Sequence, residues 1–294
     1  MAAVDLRARL GAAGRRTAQD YAWQRRIDEL EALLAGVPAR PGATSVDERL
    51  IGSDNIEAMV CDQDTPSPLR TASAELAAVL DSAARLQELV PDAVLVGGSA
   101  AALYAGHRDS FDHDHELVDL RDRFDVVLEA LESEGDWVTN RVRPGKLILG
   151  RLGDIEAGVR QLIRARPLET VEISLPSGRT LRAPTAAEAL RVKAFLIVVR
   201  NQVRDFLDVA ALGDRFGVAQ AAAVLSAIDE YYADQRGDGP AVATQVARQL
   251  ADPRPADGSV TRELDAYRNL DARWHDWARV RAACRELALV MAEG

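Results

Sequence analysis

Between Val94 and His115 the chain reads VLVGGSAAALYAGHRDSFDHDH: an aliphatic run enters two glycines and a serine, and two aspartates interleaved with two histidines follow a dozen residues later. Gly97-Gly98-Ser99 at a strand-to-helix change exposes backbone N–H groups and a hydroxyl at a helix N-terminus, where phosphate binds readily. Glycine at such a turn also has a purely steric explanation, so the aspartates carry more weight. In an extended strand Asp112 and Asp114 point to one face, and His113 and His115 to the other. Two carboxylates side by side suit a hard cation such as Mg²⁺, which takes one or two carboxylates together with substrate phosphates. An edge strand turning polar residues to water is the ordinary alternative.

His107, His113 and His115 have the chemistry of metal ligands and are three of the chain's four histidines. Strand alternation separates His113 and His115 from the aspartates, so packing or hydrogen bonding is their expected role, with a histidine-plus-aspartate hydrolase site as the competitor. Two metals held about 4 Å apart for a phosphoryl displacement need a third carboxylate on a neighbouring strand. Glu156 in GDIEAGVRQ is the first choice, Glu172 in TVEISL the competitor, and Asp154 sits closer to a turn.

In LRVKAFLIVVRNQVRDFLD, helical geometry places Lys193, Arg200, Arg204 and Asp208 within roughly 80° of one another. An Arg204–Asp208 pair at i, i+4 on a solvated face is the usual explanation of such charges. The aliphatic neighbours of Lys193 favour instead an enclosed ammonium reaching a phosphate, with Asp205 and Asp208 holding the basic groups in place.

The elements that must position these residues follow from periodicity. TASAELAAVLDSAARLQELVP has a Thr71 or Ser73 cap and helical spacing of Leu76, Val79, Leu80, Ala83 and Leu86. AVLVGG is a short strand, SAAALYAG a short helix, SFDHDHELVDL a second strand with period-2 alternation, and DRFDVVLEALESEG an amphipathic helix. KLILGRLGDIEAGVRQLI and TVEISLPSGRTLRAP are further strands with turns at Gly153 and Ser177-Gly178. TAAEALRVKAFLIVVRNQVRDFLDVAALGDRFG is helical, and three more helical stretches fill Val218 to Met291. Residues 1–36 have a helical pattern, VPARPGATS is a linker, and 46–70 is irregular. The expected fold is α+β: a small mixed sheet with α/β-type connections and mainly helical N- and C-terminal parts. Its divisions are a helical extension (1–70), a core (71–184) and a helical domain (185–294).

Net charge is −10 over 294 residues, which excludes a surface coated in basic groups. The charge is uneven: Arg141 to Arg204 holds 13 Lys and Arg against 5 Asp and Glu, an excess of 8, so the rest carries −18. Local contact with a polyanion fits that distribution. Cys61 and Cys284 have no metal spacing, the N-terminus lacks a signal-like apolar run, and the apolar window 194–199 is far short of a membrane span. A cytoplasmic protein with no membrane role is therefore expected.

The ordered set GGS (97–99), DHD (112–114), Lys193 in a helix and RDFLD (204–208) resembles the nucleotidyltransferase toxins of AbiEii and MenT type, the toxin components of type IV-like toxin–antitoxin systems. The resemblance covers roughly 94–213. It implies a DNA polymerase β-like core that binds an NTP with Mg²⁺ and transfers a nucleotide to RNA, notably the 3′ acceptor end of tRNA, with a cognate antitoxin as a possible partner. Carried over, Gly98 and Ser99 hold the triphosphate and Asp112 and Asp114 the metals. Lys193 contacts the triphosphate, and Asp208 closes the acidic motif with Arg204 and Asp205 beside it. A histidine between the aspartates stands where that family usually has an apolar residue. The competing classes are a nucleotidyltransferase acting on a small molecule or a protein hydroxyl, and an idle fold that binds a partner.

Overall fold

A computed structural model describes residues 72–293; the expectations for 1–70 lie outside the described residues. Ser73 opens the first described helix, α1 (Ala74–Leu89): its backbone is extended and its hydroxyl accepts from the Leu76 N–H at 3.0 Å, satisfying one of the helix's orphan donors. Val79, Leu80, Ala83 and Leu86 then face inward, as their spacing requires. β1 (Val94–Val96) runs straight into α2 (Gly97–Ala105), which ends on Gly106 in the left-handed region.

Five strands form the main sheet. β1, β2 (Asp112–Leu117), β3 (Trp137–Arg143), β4 (Leu147–Leu152) and β5 (Ile155–Gln161) lie in the order β1-β2-β5-β4-β3. Only the β2–β5 pair is parallel, so the chain must cross over between them. That crossover contains α3 (Leu120–Glu132), whose Phe124, Val127 and Leu131 pack with Trp137, Ile148 and Val159 on one face of the sheet. Burying each such side chain stabilises by about 1.5–3 kcal/mol, and Leu131→Ala would cost about 2–5 kcal/mol. β6 (Thr170–Ser174) and β7 (Thr180–Pro184) make a separate hairpin that turns through Gly178.

The C-terminal half is helical: α4 (Ala186–Arg200), α5 (Val203–Phe216), α6 (Val218–Ser226), α7 (Asp229–Tyr232), α8 (Val242–Ala251) and α9 (Trp277–Glu293), with short 3₁₀ turns before α9. Thr185 caps α4 through the Glu188 N–H. The expected single helical run from 185 breaks at Asn201, which adopts φ 49° and accommodates it as few residues other than glycine can. The largest hydrophobic cluster sits here, built around Leu190, Phe206, Leu212, Leu225, Val280 and Leu287. A small mixed sheet with helical flanks is thus the observed class. The boundary expected at 184 falls between β7 and α4, although the described residues belong to one compact unit.

Candidate functional site

β2 alternates as its sequence demands. His113, His115 and Leu117 are buried, whereas Asp112, Asp114 and Glu116 are partly open on the opposite face. Register extends that face to β5, where Asp112 stands beside Glu156, Asp114 beside Gly158 and Glu116 beside Arg160. The buried face packs on α1: Ser82 Oγ lies 3.0 Å from His113 Nε2, and the His113 and His115 rings meet edge to face at 5.2 Å. Burial pushes the His113 ring down to about 4. His115 is pushed well below the ordinary histidine range, by burial first and then by His113.

The glycine turn is fitted to Asp114. Gly97 has φ +77°, and a Cβ there would come within 3.3 Å of Asp114 Oδ2; a Cβ on Gly158 would come within 2.9 Å of Asp114 Oδ1. Two glycines therefore make the slot in which this carboxylate lies. Ser99 is fully buried, and its hydroxyl donates to the Asp112 carbonyl oxygen at 2.5 Å. Ser110 Oγ donates to Asp112 Oδ1 at 3.1 Å. The start of α2 is thus tied to both aspartates.

Cations surround the pair. Arg160 Nη2 is 3.4 Å from Asp114 Oδ1, and Arg204 and Arg200 lie near enough to favour the charged carboxylate. Burial, helped by repulsion from Asp112, nevertheless leaves the Asp114 carboxyl raised above the usual range. Arg200 is fixed by Asp205, which accepts from its Nε at 2.7 Å and its Nη2 at 2.6 Å. Glu116 is raised to about 7 by burial, partly offset by Arg164 and Arg160.

A second charged centre joins the helical half to the loop after α2. Asp208 is fully buried and receives Arg108 Nε at 2.9 Å and Nη2 at 3.1 Å, Lys193 Nζ at 2.7 Å and His107 Nε2 at 2.8 Å. Burial alone would raise its carboxyl, but Arg108 and Lys193 hold it well below the usual range. Burial lowers Lys193, against the pull of Asp208. Asp208 joins α4, α5 and the loop after α2 into one frame.

The sequence-predicted residues therefore divide into groups. Asp112 and Asp114 share a face beside Gly98 and Ser99, and Arg204 lies toward Asp114. Glu156 is beside Asp112 in register but exposed. Glu172 is in the separate hairpin, where Arg182 donates to it. Among the described residues no three His, Cys, Asp or Glu side chains are grouped to hold a metal. Lys193 is 2% exposed and engaged by Asp208. Sequence reasoning passed over Arg108, Arg160 and Glu116. The alternation of β2 was enough to find Glu116; the other two depend on register and on a loop.

The chain matches no family model. It is 33% identical over 250 residues to heme uptake protein MmpL11 of Mycobacterium tuberculosis (strain ATCC 25618 / H37Rv), covering 75% of this chain and 23% of that protein. It is 34% identical over 179 residues to the mycolic acid-containing lipids exporter MmpL11 of Mycolicibacterium smegmatis, covering 61% of this chain and 16% of that protein. The chain spans less than a quarter of the length of these curated relatives. Among the described residues no helix is long and apolar enough to cross a membrane. Among solved structures it is similar to an antigenic nucleotidyltransferase-like protein from Paracoccidioides brasiliensis, with 16% identity, a TM-score of 0.38, and 60% of this chain and 93% of that one covered. It is also similar to ANT(2″)-Ia in complex with adenylyl-2″-tobramycin, with 12% identity, a TM-score of 0.39, and 52% and 97% covered. A putative nucleotidyltransferase from H. pylori has 16% identity, a TM-score of 0.36, and 72% and 94% covered. Similarities of this size are partial, and the chemistry of the site stands on its own residues.

Proposed function

We propose that this chain is a nucleotidyltransferase with a DNA polymerase β-like core (residues 71–184) and a helical domain (185–294). It moves a nucleotide from an NTP to RNA, with the 3′ acceptor end of tRNA as the preferred substrate, and so blocks translation as a toxin under the control of a cognate antitoxin. One observation carries this: the Asp112 and Asp114 carboxylates share a partly open sheet face between a glycine turn at a helix N-terminus and Arg160, Arg200 and Arg204. The donor set fits Mg²⁺, because two adjacent carboxylates, one raised partly by the other, gain from a divalent cation completed by phosphate oxygens. Glu156, beside Asp112 in the β2–β5 register, is the third carboxylate in this reading. Bound there, Mg²⁺ supplies charge neutralisation and orientation of the phosphates.

The chain's own residues do the rest. With Ser99 buried and its hydroxyl engaged by Asp112, the partly exposed Gly98 at the start of α2 offers its backbone N–H to a phosphate oxygen, and Ser99 holds the turn in place. Arg160, Arg200 and Arg204 offset the triphosphate charge and favour departure of pyrophosphate after the RNA 3′-hydroxyl attacks the α-phosphate. Lys193 acts through Asp208 and Arg108, fixing α4 and α5 beside the sheet.

A thermal-shift series tests the binding step. NTP with Mg²⁺ should raise the melting temperature, NTP with chelator should not, and Asp114→Asn should abolish the rise while folding normally. A metal-independent rise, or one retained in that variant, would contradict the assignment.

The mycobacterial relatives supply a second reading from a different observation. The matched part of each is less than a quarter of a much longer protein, one named for heme uptake and the other for lipid export, and in this reading the chain serves as an accessory to such a protein. Co-purification with an MmpL11 truncated to remove the matched part would support that function, and no association would count against it.

A further inference from the structure

Phe111 is the only exposed Phe, Tyr or Trp among the described residues, 50% open to solvent, and it immediately precedes Asp112. The Arg268 guanidinium lies 4.8 Å from its ring centroid. We propose that Phe111 and Arg268 form a stacking platform for a nucleobase immediately before β2, next in the chain to Asp112. This rests on the nucleotidyltransferase reading above and deepens it by naming the group that binds.

The chemistry suits a planar heterocycle. An aromatic face stacks on any base, and an adjoining guanidinium adds a cation–π and stacking surface of its own. Neither side chain stands on a loose support. The Asp109 carboxylate accepts from Ser73 Oγ at 2.6 Å and from Asn269 Nδ2 at 2.5 Å, and the Asp109 N–H donates to the Arg268 carbonyl at 3.2 Å. The Asp271 N–H donates to the His107 carbonyl at 2.8 Å. Asn269 itself takes φ 53° to make this connection. On the other side Ser110 bonds Asp112, and Arg108 is clamped by Asp208. The loop 106–111 and the segment 267–271 are thus cross-tied, and the ring is presented already in place. Preorganisation of that kind lowers the ordering cost of binding, whereas a core residue would have been turned inward. Tyr267, near Arg108 and Arg204, connects the platform to the cations of the site.

The base belongs either to the NTP or to the 3′ end of the acceptor, and two binding measurements separate these. Calorimetric titration of the full chain, of Phe111→Ala and of Phe111→Trp uses each NTP with Mg²⁺ alone, then a tRNA acceptor-stem oligonucleotide alone. The platform requires Phe111→Ala to weaken one of the two by at least about fivefold and Phe111→Trp to restore it, with the melting temperature of both variants close to that of the parent. A loss for NTP assigns the base to the nucleotide, and a loss for the oligonucleotide assigns it to the acceptor. Unchanged affinities in Phe111→Ala, from a parent that binds both ligands, would overturn the platform and leave the nucleotidyltransferase reading intact. A parent that binds neither would overturn both.

Discussion

Lys193 Nζ lies 2.7 Å from Asp208 Oδ2 with both side chains shut off from solvent, and the same carboxylate receives Arg108 and His107. A carboxylate shared by three basic groups is more costly to remove than any one of its partners, because its loss leaves buried charge uncompensated. Asp208→Asn should therefore destabilise by about 3–5 kcal/mol, and by more than Lys193→Met. Urea denaturation of both variants checks this; equal and small losses would show that the network contributes little.

Gly158 faces Asp114 across the β2–β5 pair, where a Cβ would stand 2.9 Å from both Asp114 Oδ1 and Leu149 Cδ2. Gly158→Ala should displace the carboxylate, with a stability loss of about 1–3 kcal/mol and a fall in Mg²⁺-dependent nucleotide affinity larger than that loss explains. Calorimetry beside denaturation separates the two effects.

His113 and Glu116 oppose each other in their dependence on pH. His113 titrates at about 4 in the folded protein against an ordinary value of 6.5, so its contribution is complete above 6.5 and is lost as pH falls toward 4. Glu116 titrates at about 7 against 4.5, so its contribution is complete below 4.5 and is lost as pH rises toward 7. Glu116→Gln removes the second trend. Its stability relative to the parent should rise by up to about 3 kcal/mol between pH 4.5 and 7, measured by denaturation across that range; a difference independent of pH would contradict the assignment.

Asp109 joins Ser73, Asn269 and the Arg268 backbone. Asp109→Ala leaves Ser73 Oγ and Asn269 Nδ2 without their acceptor while keeping the backbone bond to Arg268, at a cost of about 1–3 kcal/mol. Hydrogen exchange should quicken first at the N–H groups of Asp109 and Asp271, ahead of the sheet.

Much of the site was legible because its signals are local. Alternation in DHDHEL placed the aspartates and histidines on opposite faces, and the glycines marked the strand-to-helix turn. β3 escaped notice because Val138, Asn140 and Val142 all face outward, so WVTNRVR lacks a buried alternating set strong enough to declare a strand. The partners of Lys193 and Asp208 were not legible either. His107 and Arg108 reach Asp208 across about a hundred residues of sequence, and helical spacing reports only neighbours one turn away. Glu156 was placed beside Asp112 by its strand, but its exposure follows from its place at the start of β5. The helical pattern of 1–36 falls outside the described residues.

The central claim is transfer of a nucleotide through the Asp112–Asp114 face. Purified protein incubated with total tRNA, Mg²⁺ and each α-labelled NTP in turn, beside Asp114→Ala, tests it most directly. The account predicts label in tRNA from the parent protein with at least one NTP, and none from the variant or in chelator. No label with any NTP, or equal label from Asp114→Ala, would contradict it.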